Sequence, residues 1–452
     1  MNRDPTSASV PSGGKQAEED LWQRHGAERG VWSESMLAAL ERGLKGNKWF
    51  SLIDKVRAMG TLELAWEKVK SNAGACGVDG ITVAHFGKDS QIRLLAVKEH
   101  LTEGTYQPKP AKRVWIPKPG SAEKRPLGIP TVTDRVVEAA VKMVIEPIFE
   151  SRFHPHSYGF RPGRGGKDAL RRVDELLKAG KLHVVDVDIK GYFDSIPQDR
   201  LMALVRERIA DGKVLGLVQT FLERGVLEEE HWTATEEGTP QGGVISPLLA
   251  NIYLDPLDWK MSGLGFEMAR YADDMVALCS SPEEAESALQ ELRNWMGEAG
   301  LTLHPEKTRV VDMGLAGSHF DFLGYRFHRT KRGRIARLVR PKSLRKLRDS
   351  IRAKTLRTNG KCMRAIAADV NRTLRGWYAY FKHVNTYHMG EIDGWIRGRL
   401  RAIQRKRKGG RGRGRGHDHF KWPNRYFTDQ GLFCLLDALR KEIASLRNGV
   451  KH

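Results

Sequence analysis

Acid is what this chain has least of, relative to its counterpart. Asp and Glu number 55 against 76 Lys and Arg, a formal net charge of +21 over 452 residues. A large protein with that excess meets a polyanion, and nucleic acid is the leading candidate. An anionic membrane surface is the alternative, but no basic amphipathic helix lies beside a lipid-anchor signal. Cysteine is also scarce: Cys76, Cys279, Cys362 and Cys434 stand far apart and none forms a CxxC pair. That argues against a disulfide framework and against a zinc knuckle, and it fits a reducing compartment. Long apolar runs are missing; none reaches the ~18 residues that span a bilayer. The polar first 20 residues lack the apolar stretch of a secretory signal and read as a disordered lead-in. No repeat of solenoid period is present.

What is present is a packed interior, with 40% hydrophobic residues and enough length for two or three domains. Helical spacing runs from Leu21 to about Lys70, with Leu37, Leu40 and Leu44 on one face. A glycine-rich loop follows at 72–80. Two short strands joined by a turn are expected over 113–120 and 125–130, where proline and glycine punctuate both ends. Thr133–Phe149 carries an apolar stripe of helical period. A strand is expected over Leu182–Ile189, a helix from Pro197 to about Ala210, and a hairpin over Phe266–Cys279. Another helix is expected over Glu283–Ala299. After about Phe327 the composition turns basic. Arg326–Arg348 holds eleven Lys or Arg and Arg397–Gly416 holds ten, with no acid in either. A domain boundary is therefore expected near residue 330.

The carboxylates suggest the chemistry. Val184-Val-Asp-Val-Asp-Ile189 puts Asp186 and Asp188 on one strand face by alternation. Tyr271-Ala-Asp-Asp274 places two acids at a hairpin tip flanked by Met275, Val276, Ala277 and Leu278. Asp alone favours turns, so an isolated pair would only make the bend. Adjacent acids in apolar surroundings, however, suffer desolvation and mutual repulsion that a bound cation relieves. Transfer between nucleotides uses two Mg²⁺ ions about 4 Å apart, held by a few hard oxygen ligands on rigid elements.

An ordered series of motifs covering nearly everything from Asn47 to Leu439 resembles the group II intron-encoded reverse transcriptases, or maturases. Ala73-Gly-Ala-Cys-Gly-Val-Asp-Gly80 is similar to a template-binding extension. Ile116-Pro-Lys-Pro-Gly120 and Arg125-Pro-Leu-Gly-Ile129 look like fingertip strands, and Ser157-Tyr-Gly-Phe-Arg-Pro-Gly-Arg164 like the next fingers motif. Asp188-Ile-Lys-Gly-Tyr-Phe-Asp194 resembles the first palm motif. Gly238-Thr-Pro-Gln-Gly-Gly243 with Ser246-Pro-Leu-Leu-Ala-Asn251 resembles the nucleotide-pocket loop, and Tyr271-Ala-Asp-Asp274 the catalytic hairpin. Leu301–Thr308 and Phe322-Leu-Gly-Tyr325 look like closing palm motifs. Leu374-Arg-Gly-Trp-Tyr378 looks like the thumb signature, domain X.

The resemblance implies an α+β right-hand polymerase, with fingers and an α/β palm followed by an α-helical thumb/maturase domain X. The expected division is 1–45 start and helical extension, 46–328 fingers and palm, 329–400 thumb, and 401–452 basic tail. It implies RNA-directed DNA synthesis with two Mg²⁺ ions held by Asp188, Asp273 and Asp274. Lys118 and Arg125 should reach the triphosphate; their plainer reading is solvated charge. Phe193 should lie under the sugar and reject a 2′-hydroxyl, or be core beside Tyr192. Gln241 should pack near sugar and base, or satisfy loop backbone. Lys307 should protonate the leaving pyrophosphate, or be a surface lysine. Asp194 is read as a cap.

Nucleic acid is expected to meet Arg161, Arg164, Arg337, Arg340, Lys342, Arg405, Lys406 and Arg407. Trp377, Tyr378, Tyr380 and Phe381 could stack on bases, although helical spacing favours thumb core. The Arg-Gly repeat should bind phosphates without sequence choice. His417-Asp-His419 reads better as polar loop than as metal site. Paired cysteines common in an appended HNH endonuclease are absent, so no endonuclease is expected. Expected partners are the intron RNA, an RNA template and DNA primer, dNTPs and target DNA, with no membrane. The expected setting is bacterial cytoplasm, and the nucleoid when acting on DNA. The alternatives are a splicing factor with an inactive palm, and a domesticated enzyme in phage defence, spacer acquisition or DNA repair.

Overall fold

In the computed structural model, residues 22–43, 48–117, 124–384, 386–414 and 416–449 are described. The expected disordered start, Leu44, Lys118 and Arg415 lie outside them. The chain divides into two compact units, residues 1–310 and 311–452. Among the described residues no helix is long and apolar enough to cross a membrane.

The first unit is built on the helix Val132–Glu150, buried along nearly its whole length. Its Thr131 hydroxyl caps it by accepting from Asp134 N. A helix buried on nearly every side must be enclosed, and Met59–Asn72 and other helices cover it. Strand β1 (Ala111–Pro117) pairs antiparallel with β2 (Lys124–Ile129), in the register Ile116↔Arg125. Strand β3 (His183–Val187) lies in a second sheet. Strands β4 (Val226–Glu228) and β5 (His231–Thr233) extend the first, giving the order β2-β1-β4-β5. Strands β6 (Glu267–Tyr271), β7 (Asp274–Cys279) and β8 (Arg309–Asp312) complete the second, in the order β6-β7-β3-β8. Val185, Val187, Met275 and Ala277 supply its buried contacts. Helices Gly166–Lys178, Ser246–Gly263 and Pro282–Glu298 pack on that sheet. Alternation on β3, with Val185 and Val187 in the core, leaves the carboxylates of Asp186 and Asp188 to the other face.

The second unit begins about twenty residues before the change in composition that points to a boundary near 330. The reason is aromatic packing. Strands β9 (His319–Phe322), β10 (Tyr325–Arg329) and β11 (Ile335–Val339) form an antiparallel meander. Phe320 stacks on Phe327 at 4.9 Å, and Tyr325 packs on Phe381 at 5.1 Å, tying the meander to the helix Met363–Phe381. Helices Pro341–Lys354, Thr386–Arg407, His417–Lys421, Asn424–Asp429 and Leu435–Gly449 follow.

A basic tail is the sequence expectation for residues 401–452, but the described part of that segment is folded. Trp422, Phe427 and Leu435 are buried, and Arg401 Nε donates to Trp422 O at 2.9 Å. Asp393 accepts from Leu435 N and Leu436 N at 3.0 and 2.9 Å, satisfying the start of the last helix. The charge runs conceal these apolar positions, which are spaced too sparsely to stand out among arginines. Phe427→Ala should cost about 3–5 kcal/mol by removing a fully buried ring. Calorimetry should show it as a lowered melting temperature; an unchanged thermogram would mean this segment is no part of a core.

Candidate active site

The site forms where β3 meets the β6–β7 hairpin. The ladder runs to Val187↔Met275, so Asp188 and Asp274 directly follow its last pair on the two strands. Tyr271 pairs with Asp274 across the turn, leaving Ala272 and Asp273 at the tip. Ala272 adopts φ 58°, a left-handed conformation unusual for a residue with a Cβ. Such strain persists only where surroundings impose it.

Arg270 imposes it. This guanidinium is fully buried. It donates to both oxygens of Asp258, to Asn251 Oδ1 at 3.0 Å and to Ala272 O at 3.0 Å. The strand end is also clamped through backbone. Arg270 N donates to His156 O at 3.0 Å, and Tyr158 N donates to Arg270 O at 2.8 Å. Asn251 Nδ2 donates to Gly159 O at 2.7 Å. A Cβ on Gly159 would meet Ala272 N at 2.3 Å, so only glycine lets the loop come this close.

Arg161, a nucleic-acid contact by its motif, is buried instead. It pairs with Glu150 at 2.8 Å and donates to His154 O and Ser157 O at 2.6 and 2.7 Å, holding the loop that holds the hairpin. An arginine in a turn-rich, basic motif resembles a phosphate ligand in sequence; its carboxylate partner lies on another element.

Asp188 Oδ1 pairs with Lys307 Nζ at 3.3 Å. Burial and then the charge of Asp188 hold the Asp273 carboxyl above the usual carboxylate range, with Arg125 and Arg270 opposing. Asp273 therefore lies within the field of Asp188, and Arg125 on β2 projects its charge onto the same place. Among the described residues no group of three or more His, Cys, Asp or Glu side chains is arranged to hold a metal ion alone. The donor set fits Mg²⁺ nonetheless, since that ion binds through one or two carboxylates plus substrate phosphates and water.

Phe193 sits half-buried in the turn Tyr192–Asp194, its ring 5.6 Å from Tyr192. Its carbonyl accepts from Thr239 N at 2.7 Å. Asp194 is not the cap that its place in the sequence suggests; its carboxylate accepts from Gln241 Nε2 at 2.7 Å. Gln241 O accepts from Gly128 N at 2.7 Å, and a Cβ on Gly242 would meet Gly128 O at 2.4 Å. The buried carboxylate of Glu138 accepts from Val244 N, Ile245 N and Arg224 Nη1. Glu138 lies outside every motif of the sequence; an acid on the buried stripe of Val132–Glu150 is the signal that marks this anchor.

Elsewhere the expected contacts divide. Arg164 is exposed and donates to Pro155 O at 2.5 Å. Arg340 pairs with Asp321 at 3.1 Å, Arg337 is half-buried on β11, and Lys342 and Lys406 are exposed. Arg405 pairs with Asp418 at 2.6 Å and Arg407 donates to Asn359 O at 3.1 Å, so both brace the second unit. Asp418 is buried, and His417–Lys421 is a short helix. Tyr378 and Tyr380 spend their hydroxyls on Glu442 and Leu323 O, and Trp377 packs on Phe381, so this cluster belongs to helix packing.

A four-stranded sheet whose β6–β7 hairpin carries paired acids, beside the clamped loop 238–243, is the palm of a polymerase. Residues 116–327 match the reverse transcriptase (RNA-dependent DNA polymerase) family, and residues 344–420 match the group II intron, maturase-specific domain. Protein YkfC of Escherichia coli (strain K12) is 34% identical over 304 residues, covering 58% of this chain and 78% of its own. Group II intron-encoded protein LtrA of Lactococcus lactis subsp. cremoris is 38% identical over 231 residues, covering 51% of this chain and 37% of its own. The putative COX1/OXI3 intron 1 protein of Saccharomyces cerevisiae is 24% identical over 413 residues, covering 78% of this chain and 48% of its own. The chain belongs to the group II intron-encoded reverse transcriptase and maturase family.

Two outcomes test the geometry. Gly159→Ala should displace the hairpin tip and depress polymerisation while leaving far-UV circular dichroism intact; full activity would show that the close approach is dispensable. Asp273 has a second signature. A carboxyl whose folded pKa is raised holds its proton more tightly folded than unfolded. Its charged form thus weakens the metal-free fold at neutral pH, and that penalty is relieved as pH falls through the raised value. Asp273→Asn should therefore raise the melting temperature of metal-free protein at neutral pH, with the gain vanishing in acid. A variant melting lower than its parent at neutral pH would contradict this.

Proposed function

We propose that this chain copies RNA into DNA from dNTPs at the Asp188–Asp273 site, and that its second unit binds intron RNA and supports its splicing. The observation that carries the reading is the convergence of Asp188 and Asp273, two acids far apart in sequence, at the end of a palm sheet where one charge acts on the other. Asp188 and Asp273 would hold the Mg²⁺ ions, with Asp274 assisting. When bound, such ions offset the charge developing on the attacking 3′ oxygen and the leaving pyrophosphate.

The protein's own groups do the rest. Arg125, whose charge already acts on Asp273 and Asp194, receives triphosphate oxygens, and Lys118 is assigned to the same task. Phe193 supplies the wall that meets a 2′-hydroxyl. Gln241, held by Asp194, faces sugar and base. Lys307 pairs with Asp188 and turns to the departing phosphates when cations take its place. The nucleic-acid partners in this reading are an RNA template, a DNA primer, the intron RNA and target DNA.

Primer extension on an RNA template tests the site. Asp188→Ala and Asp273→Ala should each lose about 10³-fold or more in rate, the scale of several kcal/mol of charge stabilisation. Undiminished cDNA synthesis by the Asp273→Ala, Asp274→Ala double variant would refute the assignment and leave a splicing factor. Phe193→Ala should admit ribonucleotides while dNTP incorporation persists; unchanged discrimination would remove the sugar wall from the mechanism. For the second unit, the protein should promote splicing of the RNA flanking its reading frame at low Mg²⁺. Splicing indifferent to the protein would leave only the polymerase.

A further inference from the structure

Three arginines gather in the second unit around a single indole, and the charges of two more reach one of them. Arg348 and Arg352, on Pro341–Lys354, and Arg399, on Thr386–Arg407, place their guanidinium carbons 6.0, 5.9 and 5.5 Å from the centre of the Trp395 ring. Contacts at these distances orient a guanidinium by attraction to the ring quadrupole. Arg399 is further fixed: its Nε donates to Thr355 Oγ1 at 2.6 Å and its Nη2 to Thr355 O at 3.0 Å. Arg357 and Arg413 are exposed, and their charges act on Arg399. Burial, and then the charges of Arg352, Arg357 and Arg413, hold the Arg399 guanidinium below the usual arginine range.

The local compensation is partial. Among the described residues Glu391 pairs with Arg348 at 2.9 Å and Asp349 with Arg352 at 2.6 Å, two carboxylates against five guanidiniums. Like charges assembled at this density repel, and an incoming polyanion removes that repulsion. Pre-oriented guanidinium forks suit phosphate oxygens. Trp395 is half-buried and already engaged by guanidiniums, so its ring orders the arginines and does not serve as a platform for a base.

We infer that Arg352 and Arg399, ordered on Trp395, and the exposed Arg357 and Arg413 whose charges act on Arg399, form a binding patch for the phosphodiester backbone of structured RNA. This rests on the maturase reading of the second unit and names a contact surface for it. None of the basic residues individually singled out from the sequence belongs to this set.

The test uses the full chain, with a labelled RNA stem-loop and a DNA duplex of equal length as probes, titrated across salt concentrations. The slope of log affinity against log salt should fall by about 1 for each phosphate contact removed. Arg352→Gln with Arg357→Gln should flatten that slope by about 2 on the RNA, while the matched charge loss Lys331→Gln with Arg332→Gln should not. Trp395→Leu, checked for folding by far-UV circular dichroism, should weaken RNA binding without changing net charge. Equal flattening by the matched control would overturn the patch and leave diffuse attraction. Flattening on DNA alone would overturn the assignment to RNA, and flattening on both would extend it to phosphates of either sugar. Asp273→Asn should bind the stem-loop like the parent, so loss of extension and loss of binding are separable results.

Discussion

A guanidinium sealed from water can be neither left unpaired nor moved without its partners. Arg270 meets that demand through Asp258, Asn251 and the carbonyl of Ala272, the residue whose backbone bends the hairpin tip. Losing either member of such a pair leaves an uncompensated buried charge, at about 3–5 kcal/mol. The position of Asp273 follows from that arrangement, because the residue before it is held in the one bend these contacts allow. Two further sealed pairs act in the same way. Arg161 with Glu150 fixes the loop leaning on the hairpin, and Arg224 with Glu138 fixes the end of the loop 238–243. Arg224 and Glu138 join segments 86 residues apart, and the two shorter-range pairs tie a loop and a strand to the helices preceding them, so the palm is braced on several elements at once.

The reactive acids stand apart from this framework. Asp273 holds its proton above the usual range, and Asp188 takes the ammonium of Lys307. The first is unfavourable in the protein alone and the second is provisional, and cations arriving with a nucleotide would relieve both. Where strain and like charge gather, function is the common reason.

Local elements are legible in the sequence because their causes are local. The stripe through Val136, Ala140 and Ile148 dictates its helix, and the alternation through Val185 and Val187 dictates β3. Motif order singles out Asp188, Asp273 and Asp274, and the fold brings Asp188 within electrostatic reach of Asp273. What cannot be read is pairing across the fold. Nothing near Arg161 in sequence says that Glu150 will enclose it, and nothing near Asp194 says that Gln241 will claim it. The basic C-terminal stretch misleads for a related reason: Trp422 and Phe427 are few among many arginines, and only the folded helices reveal that they are core.

The strand that carries Arg125 does not move alone. Gly128 N is bonded to the carbonyl of Gln241, and Gly242 packs against Gly128 with no room for a methyl group. Arg125 rides on the same strand as Gly128. A swing of that hairpin therefore drags the backbone at 241 with it. Under the proposed roles, phosphate engagement by Arg125 and inspection of sugar and base by Gln241 would be geared together, so a nucleotide gripped at one end only would leave the other end out of place.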